Sequence, residues 1–148
     1  KKIDDPKLNI TKDDILVLKN IGPKTIYGMP EAGYLPIPKK ILKTGVKDMI
    51  RISDGRMSGT AFGTIILHVS PESAVGGPFS ILKTGDKIKL SVKNKSLNVL
   101  LSKKELEKRL KNTKIIAPII KRGYLKLYYD TVLQADEGCD FDFLKYKK

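Results

Sequence analysis

Val46-Lys47-Asp48-Met49-Ile50-Arg51-Ile52-Ser53 runs directly into Asp54-Gly55-Arg56-Met57-Ser58-Gly59-Thr60, and Thr64-Ile65-Ile66-Leu67-His68-Val69 follows a few residues on. The first run has β character, and the last is a continuous apolar stretch of the kind found in buried strands. Two strands therefore hold one polar, glycine-marked loop between them. Ordered loops delivered from a rigid scaffold are where chemistry is expected.

Working upstream, Ile15 to Lys19 reads as a short apolar strand that ends in the turn signal Asn20-Ile21-Gly22-Pro23. The stretch Gly22 to Pro38 carries breaks at Gly22-Pro23, Gly28, Pro30 and Gly33, too many for a regular element, so it is a long functional-type loop. Pro38 suits the first position of a short helix over 38–44 that Gly45 stops. Downstream of Ser70-Pro71-Glu72 and Gly76-Gly77-Pro78, Ile88, Leu90 and Val92 alternate with polar residues. Leu97, Val99 and Leu101 do the same after Asn94-Lys95, which predicts a half-exposed hairpin. Ser102-Lys103-Lys104-Glu105 is a capping box, and Glu105 pairs with Arg109 four residues on, so a helix is expected over about 103–111. Leu125, Tyr128, Tyr129, Val132 and Leu133 share one face of a further helix, with Gly138 as its stop. The fold class read from this order is mixed β/α: a mostly β, barrel-like core with peripheral helices, forming a single domain across residues 1–148.

Charge and composition narrow the function. The chain has 148 residues, with 29 Lys and Arg against 16 Asp and Glu, for a formal net charge of +13. A stand-alone basic nucleic-acid-binding module is the rival reading that this excess invites. The distribution argues against it, because the lysines are scattered as singles and pairs and only four of the basic residues are Arg. No nucleic-acid partner is expected. Nor is a membrane partner, since no apolar run approaches the roughly 20 residues of a bilayer span. The amino terminus lacks the apolar core of a secretory signal, so a cytoplasmic location is the expectation. One cysteine, Cys139, and one histidine, His68, leave neither an internal disulfide nor a Cys/His zinc cluster. The opening Lys-Lys-Ile-Asp-Asp-Pro, without Met, reads as part of a longer polypeptide.

Two loops could carry chemistry. Gly28-Met29-Pro30-Glu31 presents one carboxylate from a stiff turn, which suits either coordination of a hard cation such as Mg²⁺ or plain solvent exposure. In Asp54 to Gly59, small residues flank the Ser58 hydroxyl, so that backbone N–H groups can converge on an anion or on the hydroxyl oxygen itself. His68 sits in an apolar run, where a structural role is expected, and a Ser-His-acid triad is not supported. A serine without a histidine can still act as a base if a nearby metal and aligned amides stabilise its alkoxide.

Taken together, Gly22-Pro23-Lys24, Gly28-Met29-Pro30-Glu31, Ser53 to Gly59, His68-Val69-Ser70-Pro71-Glu72 and Gly76-Gly77-Pro78 resemble the carboxyl-terminal domain of the dihydroxy-acid and phosphogluconate dehydratase family. The tail Gln134 to Leu144 resembles the sugar-acid branch, which dehydrates aldonates such as pentonates, more than the dihydroxy-acid branch of branched-chain amino-acid synthesis, which stands as the alternative within the family. Thr25-Ile26-Tyr27 departs from the usual pattern, where Gly and Pro are more typical. The resemblance implies a barrel-like swivelling domain that closes over an amino-terminal domain of the same enzyme, with a sugar acid as substrate and a homo-oligomer as the full-length assembly. It implies Glu31 as a Mg²⁺ ligand, Ser58 as the alkoxide base, Thr60 as a substrate-contacting hydroxyl and Arg56 as a brace for its loop. Mg²⁺ and an iron–sulfur cluster would belong to the full-length enzyme, with the cluster ligands outside this chain and neither group held by this domain alone. One cysteine cannot furnish a cluster, so Cys139 has a structural or tail role.

Overall fold

A computed structural model describes residues 2–145. Its centre is a parallel sheet of three very short strands in the order β1-β2-β3: β1 (Leu16–Leu18), β2 (Arg51–Ser53) and β3 (Ile65–Ile66). Leu16 lies opposite Arg51 and Leu18 opposite Ser53, while Ile65 pairs Arg51 from the other side. All three residues of β2 are buried and those of β1 and β3 half-buried, as a central strand between two partners requires. Helix α1 (Lys39–Leu42) follows Pro38, whose φ of −54° already has a helical value. It carries Ile41 onto Ile37 and Met49, and Ile10, Leu16 and Val46 pack around this cluster.

A second unit is antiparallel. Strands β4 (Ile88–Ser91) and β5 (Ser96–Val99) pair with Ile88 opposite Val99 and Leu90 opposite Leu97. Helix α2 (Lys103–Asn112) follows, and Ser102 Oγ accepts the Glu105 amide at 3.2 Å, the capping box the sequence predicts. Arg109 joins the two elements, with Nε 2.8 Å from Glu105 and Nη1 2.7 Å from Asp86 in the turn before β4. Helix α3 (Gly123–Thr131) then packs beneath the loop that carries Glu31.

The mixed sheet-and-helix class is as expected, but the barrel-like closure is not seen among the described residues. The parallel sheet ends at β1 and β3, and the hairpin pairs only with itself. Thr64 to Val69 gives a strand of only two residues. His68 turns into the left-handed region (φ 56°), is exposed rather than set into a strand, and bonds the Gly55 carbonyl through its amide at 3.1 Å. Gly138 does not stop α3. The helix ends at Thr131 because Val132 becomes extended and bridges Phe141, and Gly138 (φ 85°) serves a later turn. Among the described residues no helix is long and apolar enough to cross a membrane.

Candidate active site

Where β2 ends, the chain is fixed by a buried acid. Asp54 is fully buried, and its carboxylate accepts the amides of Asn20 (3.0 Å), Ile21 (3.2 Å) and Ser73 (2.9 Å). Three N–H donors replace the water that a buried carboxylate loses, so the acid is stable there and pins three segments to one point. Gly55 follows because no side chain fits: a Cβ would overlap Ile21 and stand 2.8 Å from its carbonyl oxygen. The loop therefore leaves the sheet in a fixed direction.

Arg56 then ties this loop to the one carrying the carboxylate. Its carbonyl accepts the Ala32 amide at 3.0 Å and its Nε donates to the Met29 carbonyl at 3.0 Å, so one residue holds the chain on both sides of Glu31. Glu31 and Arg56 are partners in a parallel bridge, and the Ser58 amide donates to the Gly33 carbonyl at 2.8 Å. Hydrogen bonds thus run two segments 27 positions apart in sequence side by side, Glu31 on one and Ser58 on the other. The bracing expected of Arg56 is present. Ser58 Oγ lies 3.0 Å from Thr60 Oγ1 and accepts the Thr60 amide at 3.3 Å. When the Thr60 hydroxyl donates as well, two donors face the Ser58 oxygen, the support an alkoxide needs.

From below, the Glu31 loop rests on α3 and the tail. Gly28 and Met29 both adopt left-handed conformations (φ 61° and 54°), and the Tyr128 ring lies directly against Gly28. Cys139 Sγ is 3.7 Å from Met29 Sδ, and burial pushes its thiol pKa up, which suits packing rather than reactivity. Lys24 Nζ donates to the Tyr129 carbonyl at 2.6 Å, a cation at the end of α3 where the helix dipole favours one.

Two further residues organise the site without standing out in the sequence. Arg51, in the middle of the sheet, is fully buried. It donates to the carbonyls of Met49 (3.0 Å), Leu35 (3.4 Å) and Phe62 (2.8 Å), the Tyr34 hydroxyl (2.8 Å) and Asp48 (2.8 Å). It thereby clamps the exit of the Glu31 loop to the exit of the Ser58 loop. Glu72 is also fully buried. Its Oε1 accepts from the Lys24 amide and from Gln134 Nε2, each at 2.7 Å, while its Oε2 has no partner. Burial pushes its carboxyl above the ordinary glutamate range. A Ser-Pro-Glu turn signals neither burial nor partners.

Glu31 is exposed, and its side chain makes no hydrogen bond or ion pair among the described residues. A hard, unspent carboxylate oxygen fits a hard divalent cation. It cannot hold one alone, since no group of three His, Cys, Asp or Glu is assembled among the described residues. A half-open, mostly apolar pocket of about 180 Å³ between Ile52, Pro71, Phe79, Ile88, Leu97 and Val99 includes none of Glu31, Ser58 or Thr60. The candidate site is an open corner.

Residues 1–139 match a family described as "Dihydroxy-acid/6-phosphogluconate dehydratase C-terminal". A protein of Rhizobium meliloti strain 1021, named "Putative dehydratase IlvD1", is 56% identical over 97% of this chain. The 6-deoxy-6-sulfo-D-gluconate dehydratase of Pseudomonas putida is 50% identical over 97%, and the L-arabonate dehydratase of Azospirillum brasilense 47% over 96%. In each of the three the matched part is 25% of the relative, so the chain spans about a quarter of their length. Proteins named dihydroxy-acid dehydratase match at lower identity, 41% to 36%.

Proposed function

The chain belongs to the dihydroxy-acid/6-phosphogluconate dehydratase family, whose C-terminal domain it matches, and we propose that the protein containing it dehydrates a sugar acid to a 2-keto-3-deoxy acid. The observation that carries this reading is the pairing of the Glu31 and Ser58 segments through Arg56, Ala32 and Gly33. It runs the Glu31 and Ser58 backbones side by side, which supports reading Glu31 as a cation ligand and Ser58 as the base of one site. Higher identity to relatives named for sugar acids than to those named for dihydroxy acids favours an aldonate substrate.

Loss of water from a 2,3-dihydroxy acid needs a base at C2 and a route for the C3 hydroxyl. When bound, a divalent cation would acidify the C2 proton and a cluster iron from the rest of the polypeptide would take the departing hydroxyl. Ser58 Oγ takes the C2 proton. Thr60, through its amide and hydroxyl, stabilises the charge that Ser58 must carry beforehand and contacts the substrate's hydroxyls. Glu31 holds the cation from this side. The enol left behind takes a proton at C3 and becomes the 2-keto-3-deoxy acid. The open corner suits a domain that swings over its amino-terminal partner, where the remaining ligands would lie.

The test uses the natural full-length protein, purified without oxygen. Aldonates should turn over faster than a branched 2,3-dihydroxy acid, and Ser58→Ala should lower kcat by about 10²–10⁴-fold, the range for a general base. Turnover of an aldonate by residues 1–148 alone, or an undiminished Ser58→Ala enzyme, overturns the reading.

A further inference from the structure

Glu31 and Arg56 face each other across paired backbone, an arrangement in which opposite charges ordinarily form an ion pair. Here they do not. The Arg56 side chain is exposed and spends only Nε, on the Met29 carbonyl, and no ion pair of either residue exists among the described residues. One bond through Nε fixes the plane of the guanidinium and leaves Nη1 and Nη2 as an unspent fork. Such a fork matches the two oxygens of a carboxylate, which a lysine cannot do.

Resting on the dehydratase reading, we infer that Arg56 is the residue that binds the C1 carboxylate of the acid, beside the cation that Glu31 holds. A carboxylate seated on a divalent cation is a local pair of opposite charges. A fixed guanidinium next to a fixed, unpaired carboxylate is its electrostatic complement. Ser58, the proposed base at C2, lies only two residues beyond Arg56 in the same loop, so a group that binds C1 is needed close to it. The Nε bond to the Met29 carbonyl, two residues before Glu31, keeps the guanidinium on the Glu31 loop. Holding the loop and holding the acid are then two uses of one side chain: Nε for the first, the Nη edge for the second.

Both uses predict a weaker enzyme when Arg56 is changed, so the test must separate them. In the full-length protein, Arg56→Gln should raise KM for an aldonate about tenfold or more while kcat falls far less, and Arg56→Lys should lie between. Glycolate and glycolamide, neither of which has a C3 hydroxyl to lose, are the discriminating competitive inhibitors. Glycolate should lose about tenfold in affinity in Arg56→Gln, and glycolamide should lose none. Equal losses for the two probes, or none for either, would leave Arg56 as a brace only and overturn the inference. A wild-type protein that dehydrates no aldonate would instead sink the dehydratase reading beneath it.

Discussion

Residues 16–73 and residues 83–113 are held together by different means. In the first, strands are two or three residues long and most of the chain is loop. Its shape is set by three buried ionisable side chains, Arg51, Asp54 and Glu72, that bond the backbone of distant segments. In the second, a hairpin and a capped helix follow from local pattern, and their ionic contacts lie at or near the surface. The contrast places accuracy where the loops of Glu31 and Ser58 pair and leaves the hairpin unit as a support. Substitutions at buried polar groups should therefore damage the first region far more than equivalent ones damage the second.

The largest effect is expected at Arg51. Arg51→Met fills part of the space but leaves a hydroxyl, three carbonyls and Asp48 without their donor. Breaking a buried charge network of this kind costs about 3–5 kcal/mol, and the lower end applies because Asp48 is 40% exposed and can regain water. Chemical denaturation of the variant against wild type measures it. A loss below about 1 kcal/mol, the range of an exposed ion pair, would remove the distinction between the two regions.

Glu72 sharpens the comparison through pH. Burial raises its pKa in the folded protein, so folding favours the protonated acid. The contribution is fully present below the ordinary glutamate pKa of about 4.3 and is lost as pH rises through the higher folded value. Glu72→Gln keeps an oxygen for the Lys24 amide and Gln134 and has no proton to lose. Its stability should match wild type in acid and exceed it increasingly as pH rises past that window, in melts taken at several pH values. Parallel curves would show that the carboxyl is not desolvated as its burial implies.

What could be read in advance follows the same division. The hairpin, the Ser102 cap and the Glu105–Arg109 pair were legible because their contacts lie within a few positions of each other, as in the three-residue reach of Ser102 to the Glu105 amide. The Asp54 to Asn20 contact spans 34 positions and the Glu72 to Gln134 contact 62, and no local pattern announces either. Glu31, Ser58 and Thr60 were reached through a family resemblance rather than through spacing, and the backbone pairing that joins their loops is visible only in three dimensions. The strands of the central sheet were legible, but their parallel pairing was not, because the order of elements pointed to an antiparallel or mixed barrel-like core. Ile15 to Leu18 and Thr64 to Val69 are continuous apolar runs that mark where strands lie. Their brevity, set by the left-handed turns at Asn20 and His68, was not.

The smallest effect should come from Ser102. Ser102→Ala removes the oxygen that accepts the Glu105 amide at the start of α2. Loss of such a cap costs about 1 kcal/mol. The amide is exposed and can bond water instead, which keeps the loss at or below that figure. No residue of α2 is fully buried, so little packing is lost with it. Hydrogen exchange should quicken in the first turns of α2 while the amides of Ala32 and Ser58, which join the two site loops, keep their protection. Because Arg109 fastens α2 to the hairpin through Asp86, a modest rise should carry into β4 but no further. If the Ser58 and Ala32 amides exchange faster in this variant, the local unit and the site are mechanically one body, and the division between them fails.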